Sequence, residues 1–91
     1  MSKTISVTVT GKVQGVFFRQ SAKNKARELG ITGLVKNQPD GTVYIIATGN
    51  DGQLDNLVAW CRLGPPKARV DSVKTNELPP QVFDSFTIQH G

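Results

Sequence analysis

The stretch TISVTVTGKVQGVFFR, residues 4–19, decides the fold. Within residues 4–10, Ile5, Val7 and Val9 alternate with Thr4, Ser6, Thr8 and Thr10, the period-two pattern of a half-buried strand. Gly11 and Gly15, four positions apart, then break that pattern. After them Phe18, Ala22, Ala26 and Leu29 recur at spacings of four, four and three. Lys23, Asn24, Lys25, Arg27 and Glu28 fill the other side, which makes an amphipathic helix with Gly30 as its C-cap. Strand, glycine loop and helix in that order form an anion cradle. Glycines let the backbone turn tightly, successive N–H groups converge, and the helix N-terminus adds partial positive charge. Arg19 adds a forked donor suited to phosphate.

Working outward, residues 31–36 and 42–48 read as two further strands. Gln38-Pro39-Asp40-Gly41 between them has the chemistry of a tight turn, so the pair forms a hairpin. Asn50 and Gln53 make a capping box for a second helix. Leu54, Leu57, Val58 and Cys61 supply its apolar stripe, and Gly64-Pro65-Pro66 stops it. Residues 68–75 form a fourth strand, Leu78-Pro79-Pro80 a linker, and residues 82–88 a short final strand. The order β-α-β-β-α-β plus one strand predicts an α+β, ferredoxin-like split βαβ sandwich. Its antiparallel sheet carries both helices on one face, in a single domain over residues 1–91. That fold hosts many functions and decides no chemistry by itself.

Composition narrows the class. Eleven Lys and Arg against seven Asp and Glu give a net charge of +4 over 91 residues, which favours small anionic partners. The basic residues are scattered rather than striped, so a nucleic-acid footprint is not expected. Cys61 is the only cysteine, which excludes an internal disulfide and a thiolate metal cluster. Nothing resembles a secretory signal or a membrane span, so a cytoplasmic protein is the expectation, and it is read as a monomer.

Arg19 and Asn37 are the candidates for chemistry. A cation in a first helical turn is mildly unfavourable unless an anion offsets it, which argues that Arg19 has an anionic partner. Asn37 ends the second strand, and its amide combines a donor and an acceptor that can hold a water molecule. Nothing in composition or periodicity brings the end of that strand to the start of the first helix. Lys12 and Lys36 read as solvated lysines, Gln14 as a loop-positioning residue and Trp60 as partly buried packing. Cys61 reads as an inert core thiol and His90 as a solvated, mobile residue near the C-terminus.

The absences constrain the reaction. No Gly-Lys-Ser/Thr follows Gly15, no cysteine-thiolate phosphatase loop occurs, and no pair of histidines or carboxylates has metal-ligand spacing. A hydrolase built from these residues works without a protein nucleophile, a metal, a cofactor or a dedicated general acid. An alcohol leaving group would need one of these. A carboxylate, whose parent acid has a pKa of about 4, departs unaided. A mixed carboxylic–phosphoric anhydride fits this equipment.

The chain resembles the acylphosphatase family over nearly its whole length. The residues that carry the resemblance are Gly11-Lys12-Val13-Gln14-Gly15-Val16-Phe17-Phe18-Arg19 and Gly33-Leu34-Val35-Lys36-Asn37-Gln38-Pro39-Asp40-Gly41-Thr42-Val43. Leu29 to Gly33, Gly64 to Val70 and Phe86-Thr87-Ile88 agree as well. The resemblance implies hydrolysis of a small acyl phosphate to carboxylate and orthophosphate. It implies that the backbone amides of Gln14, Gly15, Val16, Phe17 and Phe18, with Arg19, bind the phosphoryl group. It implies that Asn37 orients the attacking water, that Thr42 supports the asparagine's loop, and that inorganic phosphate binds as product or inhibitor. Leu34 departs from a usual Trp or Tyr, and Gln89-His90 from a usual Arg-Tyr ending. One rival is the related module that begins a carbamoyltransferase chain of hydrogenase maturation, set against a chain ending here at Gly91. The other is a non-catalytic RNA or polyanion module, which would need aromatics on the open sheet face, where Tyr44 is the easy candidate.

Overall fold

A computed structural model describes residues 2–90. The elements run β1 (Lys3–Lys12), α1 (Phe18–Glu28), β2 (Thr32–Asn37), β3 (Val43–Gly49), α2 (Asp51–Leu63), β4 (Arg69–Leu78) and β5 (Phe86–Gln89). They make one five-stranded sheet in the order β4-β1-β3-β2-β5, with the two helices packed beside each other on one face. This is the split βαβ arrangement expected from the element order.

The core follows from the alternation. Ile5, Val7 and Val9 of β1, Val43, Ile45 and Ala47 of β3, and Val35 of β2 face the helices. Ala22 and Ala26 of α1 and Leu54, Leu57 and Cys61 of α2 meet them there. Small alanines on α1 let that helix approach the sheet closely, while each fully buried Val or Leu contributes about 1.5–3 kcal/mol. The capping box at α2 forms as expected: Gln53 N–H donates to Asn50 Oδ1 and Asn50 N–H to Gln53 Oε1, both at 2.8 Å.

Three boundaries differ from the sequence-based reading by more than one residue. β1 runs on to Lys12 through a bulge at Thr10/Gly11, which lets it keep pairing with β4. Gly11 sits there at φ +131°, and a Cβ on it would lie 2.1 Å from Arg69 O, so no other residue fits. β4 extends three residues beyond Thr75, to Leu78.

The last difference concerns the final strand, which is shorter and starts later. β5 comprises only Phe86–Gln89 and pairs parallel to β2, so the sheet is antiparallel from β4 to β2 but mixed at this edge. Residues 79–85 cannot be strand because they carry the chain from one sheet edge to the other, across the face opposite the helices. Gln81 marks the crossing: its N–H donates to Thr4 Oγ1 at 2.9 Å, and its carbonyl accepts from Thr48 Oγ1 at 3.0 Å. Thr4 and Ser6, expected on an open face, are buried. Tyr44 on that face is half-buried, with Lys36 Nζ 5.7 Å from its ring centroid.

Candidate active site

β1 and β2 both pair antiparallel with β3, so they run parallel to one another and end at the same edge of the sheet. β1 feeds the glycine loop there, and β2 ends there in Asn37. Parallel β5 brings its own C-terminal end to the same place. A cleft of about 320 Å³ lies at this edge, lined by Val13, Gly15, Phe17, Phe18, Arg19, Gln20, Asn37, Ile88 and His90. The adjacency of Arg19 and Asn37, invisible in the periodicity, is a consequence of strand order.

The loop is anchored from below. Val13, Val16 and Phe18 are 1%, 4% and 1% exposed, and the Phe18 ring packs on Trp60 with centroids 5.3 Å apart. Phe18 therefore gives its side chain to the core and only its backbone to the loop. With those side chains turned inward, the backbone between them faces the cleft. Gly15 at φ +73° and Phe17 at φ +64° are left-handed at alternate positions, a backbone pattern that gathers N–H groups into a concavity. Phe17 is the N-cap of α1 and supplies no side-chain cap, and the first turn holds no acidic residue. The leading N–H groups of α1 are thus left for an external acceptor.

Arg19 stands half-buried in that first turn, and no salt bridge among the described residues engages it. Its Nη1 lies 3.4 Å from Nδ1 of His90. His90, expected to be solvated and mobile, is exposed as expected but also borders the cleft next to the arginine, because β5 delivers it there. The sequence carries no signal for this, since a four-residue edge strand has too little pattern to reveal its direction.

Asn37 is held from the other side. Gln14 Nε2 donates to Gln38 O at 2.8 Å and to Thr42 O at 2.9 Å, tying the glycine loop to the β2–β3 turn. Within the turn Gln38 N–H donates to Thr42 O at 2.9 Å. Thr42 donates to Asp40 Oδ1 through its N–H at 3.0 Å and its hydroxyl at 2.7 Å. These bonds from Thr42 hold the Asp40 carboxyl below its ordinary pKa. Asn37 Oδ1 is buried and finds no hydrogen-bond partner among the described residues. A buried amide oxygen without a partner costs about 1–3 kcal/mol, which sets Asn37 apart from the other polar residues that line the cleft.

Other candidates stand apart. Lys12 and Lys36 do not line the cleft, and Cys61 is fully buried in the core, its thiol pushed up to about 12 by desolvation. Among the described residues no group of three or more His, Cys, Asp or Glu side chains converges.

Comparisons with known proteins bear on the family and the fold. The family model described as Acylphosphatase matches residues 5–88. An acylphosphatase of Marinobacter nauticus is 53% identical over 83 residues, covering 90% of each chain. One from Yersinia pseudotuberculosis is 45% identical and covers 99% of this chain and 100% of its own. The solved structure of an acylphosphatase from Coxiella burnetii superposes with a TM-score of 0.94 at 42% identity, over 97% of this chain and 93% of that one.

Proposed function

The chain belongs to the acylphosphatase family, and from that premise we propose that it hydrolyses small acyl phosphates by direct attack of water on phosphorus in this cleft. The observation that carries the reading is that Asn37, whose Oδ1 has no hydrogen-bond partner among the described residues, lines one cleft with Arg19 and the left-handed loop.

The phosphoryl group sits in the concavity formed by the amides of Gln14, Gly15, Val16, Phe17 and Phe18. Arg19 grips it with its guanidinium fork, offsetting the placement of a cation at a helix N-terminus. Asn37 Oδ1 accepts a hydrogen bond from one O–H of a water, which leaves an oxygen lone pair aimed at phosphorus. As the new O–P bond forms, the bond from phosphorus to the acyl oxygen breaks, and the carboxylate departs with its electron pair. The proton released by the water passes to a phosphoryl oxygen. No metal, cofactor or phosphoenzyme enters this scheme, because a leaving group whose acid has a pKa of about 4 needs no protonation. Loop amides and Arg19 already point where negative charge gathers, and one such donor is typically worth about 10²–10³ in kcat. Every residue this scheme uses belongs to one chain, so the scheme needs no partner subunit, and an unpaired buried Cys61 suits the reducing cytoplasm.

The test is benzoyl phosphate hydrolysis in the presence of a chelator, with wild type, Arg19→Ala and Asn37→Ala compared. Wild-type turnover survives chelation. Arg19→Ala loses about 10²-fold or more in kcat/KM and weakens competitive inhibition by inorganic phosphate. Asn37→Ala loses a similar factor, chiefly in kcat. A folded wild type without turnover overturns the assignment.

A further inference from the structure

Phe17 is 73% exposed, while Val13, Val16 and Phe18 around it turn their side chains into the core. Its backbone is left-handed at φ +64°, a conformation that suits glycine or asparagine better than an aromatic residue. The ring therefore gains little from packing, and a smaller residue would hold the turn with less strain. It does, however, line the same cleft as Arg19 and Asn37, together with the half-buried Ile88. We infer that the Phe17 ring is the platform for the acyl end of the substrate, selecting acyl phosphates with an aromatic or bulky apolar acyl group over short ones.

The inference rests on the proposed function and adds the half of the substrate that the phosphate cradle does not read. An acyl phosphate has two ends joined through a single oxygen. With the phosphoryl group held by the amides of residues 14–18, the acyl carbon must lie just beyond the loop, within a residue's reach of the Phe17 ring. A flat acyl group can stack there in an offset or tilted arrangement, with Ile88 adding apolar surface. An acetyl group has too little area to use either. Because the ring touches the acyl end in ground and transition states alike, its contribution falls mainly on KM for the apolar substrate.

The experiment compares kcat/KM for benzoyl phosphate and acetyl phosphate in wild type, Phe17→Asn, Phe17→Gly and Phe17→Leu. Asparagine and glycine tolerate the left-handed backbone, so the turn is kept while the ring is removed. Intrinsic leaving-group differences between the two substrates cancel when the benzoyl-to-acetyl ratio of each variant is divided by that of wild type. The expected result is a drop in that ratio of about fivefold or more in Phe17→Asn and Phe17→Gly, carried by a higher KM for benzoyl phosphate, with Phe17→Leu between. An unchanged ratio in both ring-free variants, with wild type active on both substrates, overturns the role of Phe17 alone. Wild type inactive on both substrates overturns the function on which it rests, and the acyl platform with it.

Discussion

Arg19 and Asn37 lie on different elements, and Gln14 is the residue that ties those elements together. Its amide bridges two carbonyls of the β2–β3 turn while its own backbone belongs to the phosphate loop. Gln14→Ala leaves neither carbonyl bare, since Gly41 N–H also donates to Gln38 O and Gln38 N–H to Thr42 O. The expected stability loss is therefore modest, about 1 kcal/mol. The expected loss of kcat/KM is larger, about tenfold or more, because a small misplacement of the asparagine-held water is costly. Thermal melts and steady-state kinetics on the same preparation check the pair of values; parallel small losses in both would make Gln14 purely structural. At this scale the chemistry is legible in the chain itself. A guanidinium in a first helical turn and a carboxamide at a strand end are readable from the chain as candidates for an anion grip and a water holder. His90 is not legible in that way, because its role depends on where a neighbouring strand ends.

The β2–β3 turn is where an element's local chemistry reaches the site. Pro39, Asp40 and Gly41 are readable as a turn, and Asp40 closes it by accepting twice from Thr42. The carboxylate is the form those donors favour, so the folded pKa lies below the unfolded value of about 3.9. The stabilisation is thus fully present above that unfolded value and is lost as pH falls through the folded one. Stability of wild type relative to Asp40→Asn is expected to be greatest near neutrality and to shrink below about pH 4. Urea titrations of both proteins from pH 7 to pH 3 measure it, and a gap independent of pH would show that the carboxylate's charge is irrelevant to the turn. Amphipathic helices and β1 to β3 are equally legible, since each repeats its pattern over several residues. β5 is not, because Val82, 96% exposed, extends an apparent apolar run into a segment that crosses the sheet.

For the whole molecule, that crossing is what completes the cleft. Leu78 and Phe86 lie one residue apart in register but on opposite edges, four strand spacings or about 19 Å from each other. Residues 79–85 span this and must also climb over the side chains of the outer face. Deleting residues 82–84 leaves five backbone steps, about 17–18 Å at full extension, too short to reach. β5 is then expected to leave β2, taking Ile88 and His90 from the cleft. Hydrogen exchange should accelerate at Gly33, whose N–H donates to Ser85 O, while kcat/KM falls. Retained protection at Gly33 would refute the taut crossing. The sequence by itself determined the elements other than β5, the split βαβ order and the candidates for the phosphate loop and the chemistry, because periodicity, turn chemistry and functional groups are local properties. Only the tertiary structure decided that Arg19 and Asn37 line one cleft, that Phe17 stands exposed there and that His90 borders it. Those facts depend on strand order and direction, which are set by long-range pairing and burial that no short stretch of the chain encodes.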